Sequence, residues 1–246
     1  SVVLNYSSLK HFLGIFLAQG GHEYMSWGVP MWFLPAIFLT FLCFGFIRKL
    51  KNVNHQIFVC IALISVGFLI PRVFKVHIIW SIDVALVALF FYATSFYLKQ
   101  FIINTSTVKY ENLILFLLLI VHVLCSLFLI VKVDMYRSIY SNEFLFLLNS
   151  SVAIFFWLLI FKKIKKIKLL SFFGKNTIPV LALHLRMLTI IKLFLLVFLG
   201  LKVFNFNETE KILLVFIQLA ILYPIIIFTN KYVPILNGKV NAKATN

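Results

Sequence analysis

The chain has 246 residues, 63% of them hydrophobic and 12% charged, with 29 Phe and a formal net charge of +16. Soluble domains carry about 25% charged residues, so the composition excludes an ordinary soluble enzyme and indicates a protein that crosses a membrane several times. The positive charge does not call for nucleic acid, because most Lys and Arg flank apolar runs; the expected partner is membrane lipid.

Residues 8–19 form an apolar stretch too short to span a bilayer. It reads as an interfacial segment or as the end of a helix whose start is missing. Seven longer segments follow, at 29–47, 56–70, 78–97, 113–131, 145–161, 178–199 and 212–229. The second and fifth are short for a hydrocarbon core of about 30 Å, and extend into flanking polar residues. The expected fold is an all-α polytopic transmembrane bundle, a single membrane-embedded domain over 1–246.

Charge orients the spans. Fourteen of the 23 Lys and Arg lie in the connections after the first, third, fifth and seventh spans, and seven lie in the opposite ones. The richer side is expected to be cytoplasmic, which puts the C-terminus inside and makes this a multi-pass protein of the cell membrane. Five of the seven acids fall on the outer side. Trp27, Trp32 and Trp80 fit an outer aromatic belt. The run Lys162–Lys168 reads as a cytoplasmic orientation signal, and binding of anionic lipid is the other reading.

Cys43, Cys60 and Cys125 lie inside apolar runs, with no metal-ligand spacing and an odd count; they read as packing residues, and no metal is expected. Asn207-Glu208-Thr209 matches a glycosylation acceptor but is common by chance. There is no Walker loop, no GxSxG and no Gly-rich dinucleotide fingerprint.

Four side chains are candidates for chemistry. His184 and Arg186 lie a few residues inside the sixth span, where a central Arg costs about 2.5–3.5 kcal/mol even on insertion scales. If that span starts near Ile178, His184 lies about 9 Å along it, and Arg186 is about 200° further round, on another face. His184 is a general base near neutral pH or a hydrogen-bonded packing residue. Lys192 lies close to the His184 face, at about 80°. Gly174-Lys175-Asn176-Thr177 reads as a turn and cap, with Asn176 or Thr177 the N-cap and Pro179 in the first turn. Asp83, the one acid inside a span, caps its helix, touches interfacial water or meets a basic group. His122, mid-way along the fourth span, reads as structural.

Three segments together carry a resemblance. They are Pro30-Met-Trp-Phe-Leu-Pro-Ala-Ile-Phe38, Ile79-Trp-Ser-Ile-Asp-Val-Ala-Leu-Val-Ala-Leu-Phe-Phe-Tyr92, and Leu170-Ser-Phe-Phe-Gly-Lys-Asn-Thr-Ile-Pro-Val-Leu-Ala-Leu-His184. In order and spacing they resemble the acyltransferase family 3 membrane proteins, in particular the fucose 4-O-acetylase-like branch. The resemblance implies a membrane O-acyltransferase that moves acetyl from cytoplasmic acetyl-CoA to a hydroxyl of a cell-surface polysaccharide or its lipid-linked precursor. The family's principal base lies in first helices that this chain is expected to lack, which leaves His184 as the catalytic candidate within it, on the cytoplasmic donor side. Arg186 and Lys175 become candidates for the donor side, and Asp83 for the acceptor side.

The chain also departs from the family. The Arg…Asp motif and the His of the family's first helices have no match in residues 1–28, and His22 does not fill that role. Ile79 and Ser95 stand where Pro and Gly are usual. The chain is therefore expected to lack the family's N-terminal helices, or to be a degenerate member. The alternative class is non-enzymatic: a glycan flippase, a polymerase partner or a transporter subunit. A sensor or a decayed gene product is the third reading.

Overall fold

The computed structural model describes residues 14, 16, 17, 29–74, 78–104, 111–129, 133–164, 167–200 and 205–237. Seven of its helices are long and apolar enough to cross a membrane. The long helices are α1 (Phe33–Ile47), α2 (Val53–Phe74), α3 (Ile82–Asn104), α4 (Glu111–Leu124), α5 (Glu143–Lys163), α7 (Thr177–Leu199) and α8 (Glu208–Tyr232), with the short α6 (Lys168–Lys175) before α7. A π-helical turn, Cys125–Leu129, extends α4. A two-residue hairpin, β1 (Val133–Asp134) and β2 (Ile139–Tyr140), joins α4 to α5. The second and fifth spans extend as expected, to 22 and 21 residues. At 1.5 Å per residue each is about 32 Å long, enough for the hydrocarbon core. The 8–19 stretch falls outside the described residues except at positions 14, 16 and 17, and Trp27 falls outside them altogether.

Helices are the expected solution in lipid, because each satisfies its own backbone hydrogen bonds. The chain divides into two compact units, Ser1–Lys165 and Lys166–Asn246. In the first, α3 is the central element. α1 and α2 pack on it, and α4 pairs with α5. Within the α3 span 44% of residues are buried, against 6% in α4. The core comprises Phe44, Ile47, Cys60, Ile64, Leu86, Leu89 and Ala93. Cys60 and Cys125 are buried and all three cysteines are free thiols.

Small and polar residues hold these helices together, as expected where lipid removes the hydrophobic drive between them. Gly67 of α2 lies against α3 so closely that a Cβ would fall 2.9 Å from the Asp83 carbonyl oxygen, 2.9 Å from Leu86 Cβ and 3.0 Å from Val87 N. The buried Thr40 hydroxyl of α1 lies 2.8 Å from Ala36 O and 3.0 Å from Ala85 O on α3. His122 of α4 meets Asn149 of α5 through Nδ1 and Oδ1 at 2.8 Å, and Asn149 donates on to Ser126 at 3.2 Å. That is the structural role the sequence suggested.

Ion pairs fix which helix ends meet. Lys163 at the end of α5 pairs with Glu111 at the start of α4, 3.6 Å apart, and Arg72 near the end of α2 pairs with Glu143 at the start of α5, 3.0 Å apart. Each pair joins the end of one helix to the start of another, so α5 runs antiparallel to both α4 and α2, in keeping with the alternation expected from the sequence.

In the second unit α7 packs on α8, and Asn176 at the start of α7 meets Asn230 near the end of α8, so the two run antiparallel. α8 opens with a capping box: Asn207 Oδ1 accepts from Glu210 N–H, and Glu210 Oε2 accepts from Asn207 N–H, both at 2.8 Å. The Asn207-Glu208-Thr209 triplet thus has a local structural reason.

Candidate functional site

The sequence candidates fall in two places. Lys175, His184 and Arg186 belong to the second unit and Asp83 to the first.

The second unit is built around the junction of α6 and α7. The sequence reads Gly174 to Thr177 as a turn, but Gly174 and Lys175 lie in the last turn of α6, and the break is at Asn176 alone. Asn176 is the N-cap residue of α7, as expected, yet its side chain does not cap that helix. It is 4% exposed. Its amide donates to Phe172 O of α6 at 2.7 Å, and its carbonyl accepts from Asn230 of α8 at 2.9 Å. One side chain thus joins three helices. Phe172 packs on Tyr223 of α8, with ring centroids 4.7 Å apart. Buried amides of this kind hold a unique arrangement because each lost partner leaves an unsatisfied polar group.

His184 lies two turns into α7, half-buried. Its Nδ1 lies 2.8 Å from Leu181 O and 3.2 Å from Val180 O. Both neighbours are carbonyl oxygens and only accept, so Nδ1 carries the hydrogen. The lone pair of the neutral ring is then on Nε2, where a base is useful. Gln218 of α8 donates to the His184 carbonyl oxygen, which locks this turn of α7 against its partner helix. Arg186 is half-buried, and Lys175 is exposed. α7 is helical through both His184 and Arg186, so the two share a helix without sharing a face.

In the first unit, Asp83 lies in the first turn of α3 and is 1% exposed. The Ser138 hydroxyl donates to its Oδ2 at 2.5 Å. Three non-glycine residues among those described have positive φ: Trp80 at 61°, Ser81 at 51° and Ser138 at 51°. Two of them lead directly into Asp83, and the third is its hydroxyl partner. Such conformations cost roughly 1–3 kcal/mol each and gather where the surroundings over-determine them. The β1–β2 hairpin supplies those surroundings. Tyr140 packs on Phe68 and Phe146, with centroids 4.9 and 5.2 Å away, and Tyr136 lies 6.1 Å from Trp32. Trp80 donates from Nε1 to Phe16 O at 2.6 Å. Asp83 thus meets a hydroxyl from a distant loop. At 1% exposure its carboxylate is shut away from solvent.

Burial pushes the Tyr140 phenol well above its usual range, with the Asp83 and Asp134 carboxylates adding to the shift. Its hydroxyl is buried without a hydrogen bond. An unfolded Tyr loses its proton near pH ~10, whereas folded Tyr140 keeps it. Above that pH the unfolded state binds fewer protons, so stability falls as pH rises. Tyr140→Phe removes both the orphan hydroxyl and this alkaline loss. It is expected to match or exceed the wild type at neutral pH, and to lose less stability above pH ~10. Thermal unfolding in detergent across pH 7 to ~11 measures both effects.

Among the described residues, no three His, Cys, Asp or Glu side chains gather as a metal site. No protein-family model, curated protein or solved structure matches the chain.

Proposed function

We propose that this membrane protein is an O-acyltransferase that moves acetyl from cytoplasmic acetyl-CoA to a hydroxyl of a cell-surface polysaccharide or its lipid-linked precursor. The observation that carries this reading is the α6–α7 junction. The Gly174-Lys-Asn-Thr…His184 segment that resembles acyltransferase family 3 forms a tied helical corner, and it presents His184 with Nε2 as the basic nitrogen.

In this reading the α7 start faces the cytoplasm, as the Lys distribution suggests. Exposed Lys175 attracts the phosphates of the donor, and Arg186, on another face of α7 from His184, adds positive charge to the donor side. His184 Nε2 takes the proton of the acceptor hydroxyl as that oxygen attacks the acetyl carbon. The C–S bond breaks, and the thiolate of CoA recovers a proton from the imidazolium. Asp83, in the first unit, is a separate candidate for contact with the acceptor sugar, a sugar hydroxyl there taking the place of Ser138.

Reconstitution of the full-length protein in vesicles with acetyl-labelled CoA and a lipid-linked glycan extract tests the proposal. Label is expected in the glycan fraction. Folded protein that transfers none to any glycan from its own host overturns it. Movement of glycolipid across the vesicle without acetylation favours the flippase or transporter class.

A further inference from the structure

The eight residues of α6 divide into two faces. At 100° per residue, Leu169, Leu170, Phe172 and Phe173 fall within an arc of about 160°, and Lys168, Ser171, Gly174 and Lys175 take the opposite arc. The apolar face has a direction. Phe172 and Phe173 lie against Tyr223 of α8, with ring centroids 4.7 and 6.3 Å away. Tyr223 is nine residues before the end of α8, about 14 Å into the span. Asn176, at the end of α6, meets Asn230, two residues before that same end. The aromatic pair therefore points from the corner toward the middle of the span. Leu169 and Leu170 share its face, and each is 55% exposed.

The polar edge is cationic. Lys168 and Lys175 are seven residues apart, about 20° round the helix, and both are exposed. Lys175 precedes Asn176 and Lys231 follows Asn230, so the bonded Asn pair brings a third exposed cation to this end of the second unit. None of the three has an ion-pair partner among the described residues. The two acids of the unit, Glu208 and Glu210, open α8, roughly 30–35 Å from Lys231 along the helix. The corner is thus positive with no carboxylate of its own unit to neutralise it.

We infer that α6 lies in the membrane–water interface and docks on anionic lipid. Leu169 and Leu170 sink among the acyl chains, as the apolar face of an interfacial helix does. Lys168, Lys175 and Lys231 gather the phosphates of anionic headgroups. The surface does not rest on the acyl-transfer reading. Lys175, placed there on the donor side, stays unchanged in the test, so the two fail separately.

Fluorescence quenching of the full-length protein in vesicles tests the inference. A bimane label is placed at Leu170→Cys, or at Leu169→Cys as a second position, and the unsubstituted chain with its own three cysteines gives the background. The probes are brominated phosphatidylglycerol and brominated phosphatidylcholine. Brominated chains are expected to quench the label, and phosphatidylglycerol to be preferred. Lys168→Gln and Lys231→Gln should each lower that preference about fivefold, and Lys168→Arg should retain it. Lys211→Gln, at the other end of α8, should change nothing.

A label quenched by aqueous iodide but by neither lipid places α6 in water and overturns the inference. A label shielded from both shows protein over this face and overturns it too. Equal quenching by the two lipids, or an equal loss of preference in Lys211→Gln, overturns the lysine edge as a site for anionic lipid.

Discussion

His184→Asn is expected to leave the protein folded and to lower acetyl transfer by about 10²–10⁴-fold, the usual contribution of a positioned base. The choice of Asn matters. Its amide nitrogen lies near the place of Nδ1 and can still donate to Leu181 O, so the hydrogen bond seen at 2.8 Å is kept while the Nε2 lone pair is lost. His184→Gln places its amide nearer the Nε2 position, where it offers no base, and should be equally inactive. Initial-rate transfer to glycan, measured beside thermal unfolding of each variant, separates the two roles. Wild-type rates in His184→Asn would sink the assignment and leave His184 as a packing residue of α7. Arg186→Lys is a milder change that keeps the charge but loses the planar fork.

Gly67→Ala is expected to destabilise the first unit by about 1–3 kcal/mol, as overpacking does in a close-packed interior. Two of the three atoms a Cβ would strike are backbone, Asp83 O and Val87 N, at 2.9 and 3.0 Å. They cannot turn aside as a side chain can, so α2 and α3 must separate. Separation also moves the carbonyl of Asp83 and the turn that holds its carboxylate. Gly45→Ala provides the opposite sign. A Cβ there meets nothing within 4 Å, so the change only relieves the helical cost of Gly and should stabilise by about 0.5–1 kcal/mol. Unfolding midpoints in one detergent compare the pair. Equal midpoints for the two variants would mean that a Cβ at Gly67 has room between α2 and α3.

The spans were legible because a membrane helix is a local object. About 20 apolar residues bounded by charge satisfy their own backbone groups and match the hydrocarbon thickness. The second and fifth spans are longer than their apolar stretches because polar residues such as Asn54 and Glu143 continue the helix toward water. The structural reading of His122 was also local, since a lone His in a span needs a partner, and Asn149 supplies it. The turn at Gly174 was misjudged because Gly commonly ends helices, whereas here Asn176 ends α6 and Gly174 stays inside it.

Sequence alone determined an all-α chain of seven spans, the candidate residues His184, Arg186, Lys175 and Asp83, and the separation of His184 from Arg186 by helical geometry. Tertiary structure decided what those residues meet. Asp83 and Ser138 are 55 residues apart, and Asn176 and Asn230 are 54 apart. Nothing along the chain pairs them. The reason is physical. In water, an apolar stripe shows which face of a helix is buried, but in lipid both faces are apolar and that signal fades. Close approach at Gly67 and the few buried polar contacts then select the packing, and those contacts exist only once the helices have come together.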